Sequence, residues 1–412
     1  MSIVLLMTPN TYRARPFAQA AKKLGLEVVW GVDVPTELAA TSPVPLPLDF
    51  RRPDEAARTI VELAARKPVQ AVLALDDAAS TLAAQAGAAL GLPHNDPAAA
   101  VAARDKYVMR RALQAGGVRC PRFESFPLEA DPAEIAAQVP YPCVLKPLLL
   151  NGSRGVIRAN TAQEFAAAWA RVRAVVRQSV GDSILVEDYL PGGEVAVEGL
   201  LTAEGLQVLA IFDKPDPLVG PYFEETIYVT PSRLPPEAQA AIARATAEAA
   251  RALGLRMGPI HAELRVNDDG PWIIEIAGRS IGGLCSATLR FGPSATSLEE
   301  LILRQAAGMT IESFEREHAS RGVMMIPIPA KGLLRGVAGL AEAESVAGIE
   351  SVEITARMYY PVTPLPEGES YLGFIFAHGD DPARVEAALR EAHGKLRFEI
   401  EPEIRLEVRG GL

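Results

Sequence analysis

Glu263 and Glu275 lie twelve residues apart in the segment IHAELRVNDDGPWIIEIAGR, residues 260–279. The pattern predicts a β-hairpin with a three-residue turn, Asp268-Asp269-Gly270, in which glycine takes the left-handed position and Asn267 pairs with Pro271. Counting back from that turn places Glu263 opposite Glu275. Period-2 alternation puts Ile260, Ala262, Leu264, Val266, Trp272, Ile274 and Ile276 on one face. His261, Glu263, Arg265, Ile273, Glu275, Ala277 and Arg279 fall on the other. Like charges facing each other at ~5 Å across a ladder repel unless something cationic lies between them. A hard divalent ion, with its preference for oxygen, suits that position. The plainer alternative is a solvated face on which Arg265 and Arg279 balance the pair.

Five further segments carry candidate chemistry. Lys146 ends an apolar strand, YPCVLKP (141–147), where an ammonium is costly unless it meets an anion or water. Asn151-Gly152-Ser153-Arg154-Gly155 follows, a small loop whose glycines let backbone N–H groups approach phosphate oxygens, with Ser153 and Arg154 adding a donor and a charge. It is not a P-loop, because no GK[ST] follows, and a simple hairpin turn explains it equally well. Glu187-Asp188-Tyr189-Leu190-Pro191-Gly192-Gly193-Glu194 ends a strand in an acidic pair, breaks, and restarts. Such a break leaves backbone groups for a planar base, and Glu194 for a ribose diol; an ordinary turn is the alternative. Lys106 falls on a helix among Arg104, Arg110 and Arg111, where surface charge is the usual explanation. Arg279 shares the carboxylate face and precedes Ser280-Ile281-Gly282-Gly283, so its guanidinium could orient a phosphate or carboxylate.

The elements that must position these residues come from a chain of 412 residues, 49% hydrophobic, enough for two to four domains or lobes. A net charge of −10 argues against a general nucleic-acid or anionic-membrane binder. Three widely spaced cysteines, Cys120, Cys143 and Cys285, fit a reducing interior better than a disulfide framework. No run of eighteen apolar residues and no signal peptide is visible, so a cytoplasmic protein is expected. The first hundred residues alternate strand and helix: Ile3–Met7, Arg15–Leu24, Leu26–Val32, 53–66, Ala71–Leu75 and Ala78–Leu90. That order implies parallel βαβ units with ligands beyond the strand ends, where Thr8-Pro9-Asn10 and Asp76-Asp77 lie, although helix capping explains Asp77 equally well. One helical stretch is expected from Asp96 to Ala115, closed by Gly116-Gly117. Short strands and a helix fill 118–190. Strands, a long helix (about Pro236–Leu253) and the hairpin follow, and strands with one helix close the chain.

Helical lysine, strand-end lysine, Gly-Ser-Arg-Gly loop, Glu-to-Glu hinge and Glu…Glu-x-x-x-Arg hairpin, in that order, resemble the parts of ATP-grasp enzymes. The resemblance runs from about residue 1 to 320 and is clearest at Gly91–Leu113, Tyr141–Gly155, Ile184–Gly199 and Pro259–Gly283. The closest flavour is the carboxylate–amine ligases that join amino acids, such as bacterial L-amino acid ligases. It implies a fold mixing α/β and α+β: an N-terminal parallel βαβ domain (1–95), linker helices (96–117) and a small α+β lid lobe (118–190). An antiparallel-sheet lobe for ATP and metal (191–320) and a C-terminal α+β segment (321–412) complete it.

The resemblance also implies roles. Lys106 and Lys146 would touch ATP phosphates, and Gly152, Ser153, Arg154 and Gly155 would fold over them. Glu187 with the backbone of Asp188, Tyr189 and Leu190 would hold adenine, and Glu194 the ribose. Glu263 and Glu275 would coordinate magnesium, with manganese as an alternative, and Arg279 would steady the transferred phosphoryl group. Many relatives carry a metal-binding asparagine two residues after the second glutamate; Ala277 stands there in this chain, as it does within the L-amino acid ligase branch. Glu224, Glu225 and His261 are candidate substrate contacts, surface or ordinary strand residues being the alternative for each. The expected activity is ATP-dependent joining of a small-molecule carboxylate and amine, without nucleic acid or membrane. A carboxylating or formyl-transferring enzyme and an idle ATP-binding protein are the competing readings. Dimerisation is common among similar enzymes, so a homodimer is a further expectation.

Overall fold

A computed structural model of the chain describes residues 2–179, 181–368 and 370–402. The chain divides into two compact units, each assembled from separated stretches. The first comprises Met1–Ser125, Glu187–Asp213 and Thr230–His318; the second comprises Phe126–Val186, Lys214–Val229 and Ala319–Leu412.

In the first unit, Ser2–Met7 pairs in parallel with both Glu27–Asp33 and Val69–Ala74, and Leu46–Leu48 lies beyond Glu27–Asp33. Parallel sheets are covered on both faces, so their strands read as continuous apolar runs. Ile3, Val4, Leu5 and Leu6 are accordingly fully buried. At the carboxyl end of the central strand, Asp76 accepts from the Thr8 amide (2.8 Å), the Thr8 hydroxyl (2.9 Å) and the Thr11 hydroxyl (2.8 Å). Asp76, not Asp77, occupies the N-cap position of the helix Asp77–Leu90, and its side chain serves this loop instead of the helix. Asp77 is freed for another partner.

The single helix expected between Asp96 and Ala115 is two, Pro97–Ala102 and Lys106–Ala115. Asp105 is the cause: its carboxylate accepts from the amides of Tyr107 (2.9 Å) and Val108 (3.0 Å), starting a new helix. Lys106 therefore sits in a first turn.

The strands Gly270–Ala277, Gly258–Asn267, Gly193–Thr202 and Gly205–Lys214 form an antiparallel run in that order. Glu263 does face Glu275, but two departures from the expected register cancel to put it there. Asn267 pairs with Gly270, giving a turn one residue shorter, and a bulge between Glu263 and Leu264 restores the count by leaving Ile274 outside the pairing. The bulge also reverses two side chains. Ile273 is fully buried with Ile260, Ala262, Leu264 and Ile276, while Trp272 and Ile274 are only partly buried. The helix Pro236–Leu253 covers this face with Ile242, Ala249, Ala250 and Leu253. Burial of that size anchors the hairpin against the helix, at roughly 1.5–3 kcal/mol for each large aliphatic side chain removed from water.

The second unit has two cores. A sheet ordered Phe123–Pro127, Ser183–Asp188, Cys143–Pro147, Ile157–Ala159 packs against the helix Ala162–Arg177 through Phe165, Trp169 and Val172. The strands Ile227–Thr230, Ser320–Ile326, Gly373–Gly379 and Ile349–Ile354 pack against the helix Pro382–Lys395 through Val385 and Leu389. Pro361–Val362, Gly332–Ala338 and Arg397–Glu401 make a small third sheet. No helix among the described residues is long and apolar enough to cross a membrane.

Candidate active site

Ten of the residues singled out from sequence lie in the first unit: Lys106, Glu187, Asp188, Tyr189, Leu190, Glu194, His261, Glu263, Glu275 and Arg279. The hairpin carboxylates are 20% and 24% exposed, Glu263 and Glu275 respectively. Lys106, almost wholly buried, places Nζ 3.3 Å from Glu275 Oε1. The Nε2 of His261 lies 3.4 Å from Glu263 Oε1. Lys106 and His261 lie beside the pair, and the charge of Arg279 also acts on Glu275. Two opposed, partly accessible carboxylates fit a hard divalent cation, which takes oxygen ligands.

Arg279 is drawn away from the hairpin. Its Nε donates to Asp77 Oδ2 at 2.6 Å and its Nη1 to the Ser280 carbonyl at 2.9 Å. The same carbonyl accepts from Arg13 Nη2 at 2.7 Å, and a second Arg13 nitrogen donates to the Leu75 carbonyl. Burial and then the neighbouring Arg279 lower the Arg13 pKa to about 10. Burial opposes the charge on Arg279 too, but Asp77 more than offsets it and raises the pKa above the ordinary arginine value. Asp77 responds in kind: burial opposes its charge, and Arg279, then Arg13 and Lys106, hold it below the usual carboxylate value. The guanidinium of Arg279 is thus fixed and permanently charged.

His261 is held on its other side by Glu198, whose Oε1 lies 2.6 Å from Nδ1. Burial works against a charged ring, yet the hydrogen bonds to Glu198 and Glu263 raise its pKa to about 9. Glu194 accepts from Arg265 Nε at 2.7 Å, and Arg265 also caps the Gly192 carbonyl at 3.0 Å. Arg265 therefore closes the Pro-Gly-Gly break from the neighbouring strand. Glu187 is 3% exposed and pairs at 2.5 Å with Arg110, itself fully buried. A second Arg110 nitrogen donates to the Ile274 carbonyl at 2.6 Å, the residue that the bulge pushes out of the ladder. The Asp188 amide donates to the Arg122 carbonyl at 3.0 Å, and its carboxylate accepts from Arg122 Nε at 2.5 Å.

The remaining candidates, Lys146, Gly152, Ser153, Arg154, Gly155, Glu224 and Glu225, lie in the second unit. Lys146 is buried at the end of its strand. Gly152, Ser153 and Gly155 all adopt left-handed backbone (φ 59°, 55° and 73°). At Gly155 a side chain would come within 2.7 Å of the Pro147 ring, so only glycine lets the loop fold back on the strand that carries Lys146. Glu225 pairs with buried Lys214, whose ammonium lies 5.0 Å from the Tyr228 ring. Burial pushes the Glu224 pKa up.

The turn Pro364–Gly368 reaches this glycine loop. The Gly155 amide donates to the Pro366 carbonyl (2.7 Å) and Arg154 Nε to the Glu367 carbonyl (3.0 Å). The Glu367 carboxylate is gripped by Arg171 in two parallel bonds of 2.9 Å. A half-exposed pair of this kind contributes about 0.2–1 kcal/mol. Glu367→Ala should therefore speed tryptic cleavage after Arg154 by about two- to five-fold, read by the fragment pattern over time.

Three family models tile the chain: an ATP-grasp N-terminal domain matches 17–94, an ATP-grasp domain 139–288, and an L-amino acid ligase C-terminal domain 2 324–401. The chain belongs to the ATP-grasp family. The crystal structure of an L-amino acid ligase from Bacillus licheniformis superposes on this ATP-grasp chain with a TM-score of 0.81 and 25% identity, covering 97% of this chain and 99% of that one. Chicken carnosine synthase 1 is 29% identical over 77% of this chain and 38% of its own length. A D-alanine–D-alanine ligase of Aromatoleum aromaticum is 30% identical over 43% of this chain and 57% of its own. The chain thus spans less than two thirds of the length of these curated relatives.

Three side chains around this candidate site, Arg110, Glu198 and Arg13, escaped the sequence reading. Arg110 reads as surface charge, yet it is one helical turn from Lys106 and fully buried. Glu198 stands in the apolar run VAVEGLL (195–201), which is itself a signal for a buried, paired carboxylate. Arg13 and the true partner of Asp77 carry no local signal: Arg279 is 202 positions from Asp77.

Proposed function

We propose that this ATP-grasp protein is an ADP-forming ligase that joins the carboxylate of one small molecule to the amine of another, both of the amino-acid class. The observation that carries the reading is the opposed Glu263–Glu275 pair with Lys106 beside it and a fixed Arg279 four residues on. The amino-acid class is supported by the C-terminal family match and by the relatives, which include an L-amino acid ligase and a D-alanine–D-alanine ligase.

The reaction takes two steps. A substrate carboxylate oxygen attacks the γ-phosphorus of ATP in line, forming an acyl phosphate and releasing ADP. The amine then attacks the acyl carbon, phosphate leaves, and the amine loses a proton to give the amide. Magnesium, held by Glu263 and Glu275, would supply charge neutralisation at the phosphates. Lys106 and Lys146 add positive charge, and Ser153, Arg154 and the amides around Gly152 and Gly155 supply donors. Glu194 would take the ribose hydroxyls, and Glu187 with Asp188, Tyr189 and Leu190 the adenine. Arg279 would meet the transferred phosphoryl group, and its fixed orientation means that little reorganisation is needed during reaction. Glu224, Glu225 and His261 would meet the substrates. No side-chain nucleophile is needed.

Hydroxylamine offered in place of the amine tests the acyl phosphate. The expected result is amino-acid hydroxamate in step with ADP. ADP release stimulated by an amino acid with no hydroxamate would rule out the acyl-phosphate route.

A further inference from the structure

The ladder places Glu198, His261 and Ala277 side by side in one row, with His261 paired to both neighbours. The next row on the same face is Ala196, Glu263 and Glu275. We propose that Glu198 and His261 are positioning residues for Glu263: Glu198 fixes the imidazole through Nδ1, and Nε2 sets the direction of the Glu263 carboxylate. This rests on the reading of Glu263 as a cation ligand.

Three observations support it. The first is the asymmetry of the two contacts. At 2.6 Å the Glu198 contact is short and charge-assisted, while the 3.4 Å approach to Glu263 is longer than an ordinary hydrogen bond. The ring is therefore held from behind by Glu198 and meets Glu263 at the longer distance. The second is cost. Glu198 is fully buried, and its Oε2 has no hydrogen-bond partner among the described residues. An unsatisfied buried oxygen opposes folding. Its neighbours Val197 and Leu200 on the same strand are apolar, and the Glu198 charge also acts on the buried Arg13 and Arg279. The third is Ala277. Its methyl group brings no polar atom to the row, so orientation of Glu263 from within that row has to come from the His261 side. Carboxylates behind imidazoles serve this purpose at many metal centres, where removing them lowers metal affinity about 10–100-fold.

The test is Mn²⁺ binding, followed by electron paramagnetic resonance in the presence of a non-hydrolysable ATP analogue, with turnover measured separately. Glu198→Gln keeps the volume and removes the charge. His261→Gln keeps an N–H near the Nε2 position but loses the grip of Glu198, and His261→Ala loses both. Glu198→Gln should weaken Mn²⁺ binding about 10–100-fold, with metal-free affinity for the analogue unchanged and kcat recovered at high Mn²⁺. His261→Gln should retain more metal affinity than His261→Ala. If Glu198→Gln does not fold, as judged by circular dichroism, the two His261 variants carry the comparison. Wild-type Mn²⁺ affinity in Glu198→Gln or in His261→Ala would overturn the proposal. So would nitrogen hyperfine coupling to Mn²⁺ that disappears in His261→Ala, because the ring would then be a ligand. No Mn²⁺ binding by the wild-type protein with the analogue would remove the cation-site reading itself, and the proposal with it.

Discussion

Glu275→Gln should lower kcat by about 10²–10³-fold while leaving the thermal unfolding midpoint within a few degrees of wild type. The two effects separate because the residue is placed for charge and not for packing. Glu275 and Glu263 are directly opposed, so their mutual repulsion destabilises the hairpin. The Lys106 contact at 3.3 Å offsets part of that repulsion. A neutral amide of the same shape relieves the repulsion and keeps a hydrogen-bond acceptor for Lys106, so stability changes little. Catalysis has no such compensation. A neutral amide would hold the divalent cation less well, so the charge neutralisation the cation would supply at the phosphates is lost, and loss of one preorganised electrostatic element costs about 10²–10³ in kcat. Steady-state kinetics beside a melting curve checks both halves. Retained turnover would remove Glu275 from the metal site.

Arg110→Met should do the opposite, acting first on stability. Arg110 and Glu187 form a pair at 2.5 Å with side chains 0% and 2% exposed. Removing the cation leaves a carboxylate buried beside an apolar chain, which costs about 3–5 kcal/mol. The Arg110 bond to the Ile274 carbonyl at the bulge is lost as well. For a unit of this size the midpoint should fall by about 6–20 °C. The double replacement Arg110→Met with Glu187→Met should recover most of that loss, because a well-packed apolar pair can stand in for a buried ion pair. The double variant also settles what Glu187 does. If its carboxylate contacts adenine, the recovered protein should keep a raised KM for ATP. If Glu187 only holds the helix Lys106–Ala115 against its strand, KM should return with stability.

The hairpin, the long helix over it and the N-terminal alternation were legible because each follows a local period. Helix Pro236–Leu253 is where the pattern places it. What sequence could not show is partnership and irregularity. A bulge has no periodic signature, so Trp272 and Ile273 exchange faces relative to simple alternation, even though Glu263 still meets Glu275. Asp105 begins a second helix through two side-chain bonds, three residues after the first one ends, which a smooth helical pattern conceals. Charged partners are harder still. Arg265 and Arg279 share the glutamate face in the sequence pattern, yet tertiary geometry assigns them to Glu194 and Asp77. Lys106 and His261, neither of them counted as a balancing charge in the sequence pattern, stand within 3.3 and 3.4 Å of the pair.

The proposed function has opposed carboxylates and fixed cations serve transfer of the γ-phosphoryl group of ATP to a substrate carboxylate. Its most direct measurement is product analysis after incubation of the purified protein with Mg-ATP and pooled amino acids. ADP and inorganic phosphate should form in equal amounts, only when amino acids are present, together with a new amide. AMP and pyrophosphate as the products would contradict it.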